Sequence, residues 1–114
     1  ILLEENNHKT FIEIKSVTMS RKKGLAEFPD SITARGSKHL IELSKTVNKN
    51  TNCYLIYLVQ RSDINNFKIA KDIDTEYYKN SLIAKKNGVK FMAYSCSINE
   101  QGIEILKEIK IIDD

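Results

Sequence analysis

The chain has 114 residues, 41% of them hydrophobic and 29% charged. That is enough for one domain with a single core, and it excludes a disordered chain. The longest apolar run, residues 55–59 with their neighbours, is far too short to span a membrane. Net charge is +3, with nine Lys/Arg against six Asp/Glu in residues 1–50 and nine against nine in residues 51–114. The cationic excess therefore lies in the first half, and Arg21-Lys22-Lys23 is its densest point. Such a cluster either attracts phosphate or forms a solvated loop.

In chain order, residues 1–4 and 10–19 are strand-like, and the polar stretch between them reads as a hairpin turn with His8 in solvent. The sequence opens in what reads as the second half of a strand, so a longer protein is expected around it. No secretory leader pattern is present at this end.

The second strand contains Phe11-Ile12-Glu13-Ile14-Lys15-Ser16-Val17-Thr18. Alternation puts Ile12 and Ile14 on one face and Phe11, Glu13, Lys15 and Val17 on the other. A carboxylate and an ammonium thus sit side by side between apolar neighbours, and burying charge is costly unless it is paired or metal-bound.

Residues 20–24 read as a turn into a short strand over 25–28, which Pro29 ends. A helix is expected from about residue 33 to 47, with Asp30, Ser31 and Thr33 as candidate caps and Leu40, Leu43 and Val47 as its apolar stripe. Residues 53–59 are apolar at every position except the tyrosines, as in a central strand covered on two sides. The helix between strands 25–28 and 53–59 has the place of a crossover between parallel strands. Asp74 is positioned to cap a second helix running to residue 87, with Gly88 just past its end. Residues 89–97 form another strand and 103–112 a last extended or mixed segment. The sum is an α/β domain with a mixed central sheet flanked by helices. Cys53 and Cys96 have no metal-binding spacing and fall in strands, so both are expected as buried, reduced thiols, which fits a cytoplasmic protein.

Three readings compete for Glu13 and Lys15. They are an ion pair near a sheet edge with its ends in water, or part of a phosphate-gripping surface. The third is a hydrolytic pair in which Glu13 helps hold a divalent metal and Lys15 positions or activates a water. As a pattern, E-x-K is too common to decide among them.

The combination "FIEIKSVT", "FPDSITARGSKHLIEL" and "YLVQRSD", in that order over nearly the whole chain, resembles the sugar fermentation stimulation protein family. The resemblance implies a restriction-endonuclease-like domain over residues 1–114. The family's N-terminal oligonucleotide-binding-type barrel is absent from this chain. It implies a DNA-binding protein connected with sugar-utilisation genes, or alternatively a Mg²⁺-dependent nuclease in which Mn²⁺ can substitute.

Matched residue by residue, Glu13-Ile14-Lys15 is the E-x-K end of the nuclease signature, with Glu13 and Lys15 as catalytic candidates. The signature's aspartate would stand immediately before Ile1, so this piece alone is expected to be inactive. Asp30 is a candidate second metal ligand beside Glu13, or a helix cap. The nucleic-acid contacts expected are Arg21, Lys22, Lys23, Arg35, Lys38 and Arg61. Arg35 and Lys38 share a helix face near its N-terminus, where backbone N–H groups favour anions, and are expected to face the same surface as Glu13. Gly36 would admit a close approach of backbone or phosphate. His39 is expected to be packed or solvated. Of Tyr77 and Tyr78, candidates for stacking on bases, at least one is expected in the core.

Overall fold

The computed structural model describes residues 1–113. Among them the elements follow as β1 (Leu2–Glu5), β2 (His8–Val17), β3 (Leu25–Phe28), α1 (Ala34–Thr46), β4 (Thr51–Val59), β5 (Asn66–Ile69), α2 (Thr75–Lys86), β6 (Lys90–Asn99) and β7 (Gly102–Ile111). The strands form one mixed sheet in the order β1-β2-β4-β6-β7-β5-β3. This is the α/β class that the sequence predicts.

Asn6 and Asn7 take φ values of 49° and 66°, the left-handed pair that a two-residue hairpin turn requires. β1 and β2 therefore pair antiparallel, with Leu2 opposite Phe11. β2, β4 and β6 are parallel at the centre. β7 turns back antiparallel to β6, and β5 and β3 follow it in parallel at the far edge.

Two expectations are corrected here. α1 does not by itself cross between parallel neighbours, because β3 lies at the opposite edge from β2. The passage from β2 to its parallel neighbour β4 runs through β3 and α1 together, and that from β4 to β6 through β5 and α2. β5 is also a strand that sequence reading leaves out. Its run Asn66-Phe67-Lys68-Ile69 alternates over only four residues, yet Phe67 and Ile69 enter the core.

The core lies between one sheet face and the two helices. Val17, Cys53, Leu55, Tyr57, Val59 and Ala93 come from the strands, and Leu40, Tyr77 and Ala84 from the helices. β4 is thus buried on one side, whereas Tyr54 and Ile56 on its other side are only half-buried and neighbouring Ile14 is 45% exposed. The expectation of a central strand covered on both faces holds for only one face of this chain.

Each helix starts where a side chain replaces a missing carbonyl. Thr33 Oγ1 accepts from Gly36 N at 2.9 Å. Asp74 accepts from Tyr77 N at 3.0 Å with one oxygen and from Thr33 N at 2.9 Å with the other, so one buried carboxylate ties both helix starts together. Gly36 is needed at this junction: a Cβ there would come within 2.8 Å of Thr33 Cγ2 and 3.1 Å of the Tyr77 ring. Thr33 and Tyr77 fill the space that the sequence reading reserves for an approaching phosphate. No helix among the described residues is long and apolar enough to cross a membrane.

Candidate functional site

β2 aims Glu13 and Lys15 at the helix side of the sheet, in register with Leu55 and Tyr57. Lys15 Nζ lies 3.5 Å from Glu13 Oε1, but its shorter contact, 2.8 Å, is to His39 Nδ1 on α1. His39 Nδ1 in turn stands 3.3 Å from Glu13 Oε1. These two contacts of Nδ1 make opposite demands. An ammonium has N–H donors and no acceptor, so toward Lys15 the nitrogen must accept, whereas toward Glu13 it would have to donate. The shorter distance is the one to Lys15, and accepting there requires the imidazole proton to be on Nε2. The side chains are 15% (Lys15), 24% (His39) and 37% (Glu13) exposed, and Glu13 and His39 line a cleft.

That cleft, about 220 Å³, is lined by Ile1, Phe11, Ile12, Glu13, His39, Glu42, Leu43 and Thr46. A second, shallower one of about 530 Å³ is lined by Ala34, Arg35, Lys38, His39 and Glu42. His39 and Glu42 bound both, so Arg35 and Lys38 stand on the same side of the sheet as Glu13, one helical turn along. His39 and Glu42 are what sequence reading misses here. The signal was available: 39, 42 and 46 form a polar stripe at helical spacing beside the apolar one.

Asp30 is exposed and does not line the Glu13 cleft. Among the described residues no three His, Cys, Asp or Glu side chains converge as a metal ion requires, and the Glu13 carboxylate faces an ammonium and an imidazole.

The basic cluster before β3 has another use for its arginine. Arg21 Nε and Nη2 donate to Glu27 at 2.9 and 2.7 Å, and Nη1 and Nη2 to Asp72 at 2.6 and 2.8 Å. Glu27 is 2% exposed, so the guanidinium is a bonded counter-charge to a buried carboxylate. Arg21 in turn holds the Asp72 carboxyl down at about 2, while its own ionisation is pushed further up by Asp72 and Glu27. This cleft, about 570 Å³, also takes in Lys22, Lys68, Lys71 and Thr75, on a different part of the surface from Glu13. Lys22 and Lys23 are exposed.

Arg61 is engaged too: Nε and Nη2 donate to Asp63 at 2.9 and 2.7 Å, which lowers the Asp63 carboxyl below its ordinary range. Gln60 at the end of β4 bonds Ser16. Tyr77 is buried, its hydroxyl 2.6 Å from that of Tyr57, and Tyr78 carries Lys71 over its ring. Both cysteines are buried and free, their thiols pushed up by burial.

A strand hairpin carrying E-x-K, a short far-edge strand ending in F-P-D, and a capped helix bearing R-G-x-K-H together make a specific pattern, and it is shared. Residues 1–102 match the model of the sugar fermentation stimulation protein RE domain. The sugar fermentation stimulation protein homolog of Pelagibacter ubique is 55% identical over 112 residues, 98% of this chain and 48% of that protein. The homolog of Roseobacter denitrificans is 42% identical over 97% of this chain and 47% of its own length. The chain thus spans about half the length of the curated relatives it matches. Among solved structures, Pyrococcus furiosus SfsA in complex with Ca²⁺ superposes with a TM-score of 0.85 at 24% identity, over 98% of this chain and 48% of that one. The overall fold is therefore shared, and the chain belongs to the sugar fermentation stimulation protein family.

Proposed function

We propose that the chain is a DNA-binding part of a sugar fermentation stimulation protein, and that it grips the phosphate backbone across the helix-side clefts. The observation that carries this reading is the placement of Arg35 and Lys38 in a cleft that shares His39 and Glu42 with the Glu13 cleft. Arg35 and Lys38 border that surface next to the N-terminal turn of α1, and Lys15 joins it through His39. Lys22 and Lys23 supply a second, exposed patch. Arg21 and Arg61 are committed to carboxylates and serve the fold. Contacts of this kind position a duplex without reading its bases; a role at sugar-utilisation genes follows from the family resemblance. The test is the salt dependence of duplex DNA binding by anisotropy. Arg35→Ala with Lys38→Ala should lower the slope of log affinity against log salt by about two. An unchanged slope would sink the reading.

A second reading, Mg²⁺-dependent phosphodiester hydrolysis, is favoured by register. Leu2 pairs with Phe11 and Ile1 exchanges both backbone hydrogen bonds with Ile12. A residue preceding Ile1 in the same ladder would therefore stand opposite Glu13 on the same face, where the resemblance expects an aspartate. Two carboxylates at that spacing repel unless a cation intervenes. The Ca²⁺ complex of the Pyrococcus protein is consistent with such a site. Mn²⁺ titrated calorimetrically should bind weakly to this chain and much more tightly to one extended upstream through that aspartate. Glu13→Gln in the extended chain should return binding to the weak level. Equal weak binding in all three would end the metal reading.

A further inference from the structure

The Lys15 side chain is a four-carbon stem with considerable rotamer freedom, and Glu13 at 3.5 Å is too far for a good hydrogen bond to hold it. We propose that His39 is the residue that positions Lys15. Its Nδ1 accepts from the ammonium and pins Nζ at the mouth of the Glu13 cleft, so that the remaining N–H groups face an incoming phosphate oxygen. This rests on the reading of Lys15 as phosphate-facing and adds the group that orients it.

The geometry of the helix supports the assignment. His39 sits on α1 between Lys38, which faces the outer cleft, and Leu40, which is 1% exposed in the core. Leu40 therefore fixes the rotation of α1 and with it the place of the imidazole. The capped start of the helix fixes its translation, since Thr33 is bonded both to Gly36 and to Asp74. The imidazole is thus delivered by a rigid element at 2.8 Å from Nζ, the length of a strong charge-assisted hydrogen bond. The Glu13 carboxylate, 3.3 Å from the same nitrogen, is the longer of the two contacts that Nδ1 makes. With Nδ1 occupied, the proton resides on Nε2, which gives the surface shared by the two clefts one more donor for an anion.

Two measurements on the full chain test this. In ¹⁵N-detected lysine ammonium spectra, Lys15 should give a signal that exchanges slowly with water. The signal should vanish in His39→Phe and return in His39→Asn, whose side-chain oxygen can occupy the Nδ1 position. The same series, titrated with duplex DNA, should show about tenfold weaker binding for His39→Phe, the loss of one charge-assisted contact, with recovery in His39→Asn. A Lys15 signal unchanged in His39→Phe would overturn the proposal, whatever the binding does. Absence of DNA binding in the unaltered chain would overturn the functional reading, while the ammonium spectra still decide the role of His39.

Discussion

Two charged clusters of this molecule look alike in the sequence and differ in the fold. Around Arg21, four N–H···O contacts of 2.6 to 2.9 Å join one guanidinium to two carboxylates, and one of those carboxylates is buried. Around Lys15, an ammonium, an imidazole and a carboxylate meet at 2.8 to 3.5 Å, at the mouth of a cleft. The first cluster turns four of the guanidinium's five N–H donors onto its own carboxylates. The second leaves N–H groups of Lys15 and oxygen lone pairs of Glu13 for something else. Density of charge along the chain is thus a poor guide to where a ligand would bind. Unsatisfied bonding capacity is a better one.

Stability should separate the clusters most sharply. Arg21→Ala strands the Glu27 carboxylate in the core and unlinks the turn before β3 from the turn that carries Asp72. The expected result is the largest fall in urea midpoint of any substitution named here, because a buried carboxylate loses a bonded cation. A midpoint equal to that of the unaltered chain would show that the Arg21–Glu27 contact does not support the fold, and the contrast would fail there.

Acid should separate them next. The folded Asp72 carboxyl titrates at about 2, below its ordinary value of 3.8, chiefly because Arg21 bonds it. A depressed folded value means that the unfolded chain binds the extra proton first. The stabilisation is complete above the ordinary carboxylate range and drains away as pH falls from about 4 to about 2. Asp63, lowered by Arg61, adds to the loss in the same direction. Urea midpoints followed over that window should fall less steeply in Asp72→Asn than in the unaltered chain. Equal slopes would mean that the Arg21–Asp72 contact does not persist in solution.

The same contrast shows how much was legible in advance. The hairpin, both helices, both caps and the face carrying Glu13 and Lys15 follow from local signals: Asn-Asn in the turn, Thr33 and Asp74 at the caps, alternation along β2. What escaped needed distant partners. β5 is four residues long and takes its identity from Phe67 packing on Tyr57, ring centroids 4.4 Å apart. Arg21 reads as a phosphate ligand until Asp72, 51 residues later, is folded against it. His39 reads as a spectator until β2 delivers Lys15 to its Nδ1. In each case the missing fact is a contact across the sheet order, and sheet order was the part of the fold that local pattern did not determine.

The smallest expected effect is the one on which the comparison turns. Glu13→Gln removes a carboxylate that is 37% exposed and no closer than 3.3 Å to either partner. Lys15 keeps its bond to His39, so no buried charge is stranded, and a partly solvated pair of this kind contributes about 1 kcal/mol or less. The amide occupies nearly the same volume and can still accept from the ammonium. Unfolding free energy should therefore change by no more than about 1 kcal/mol, in contrast to Arg21→Ala under the same conditions. That near-neutrality is what a residue placed for a ligand shows when the ligand is absent, because its partner is not in the fold. A loss as large as that for Arg21→Ala would make Glu13 and Lys15 a second structural clamp, and the phosphate-facing reading of the cleft would then have no carboxylate or ammonium to spare.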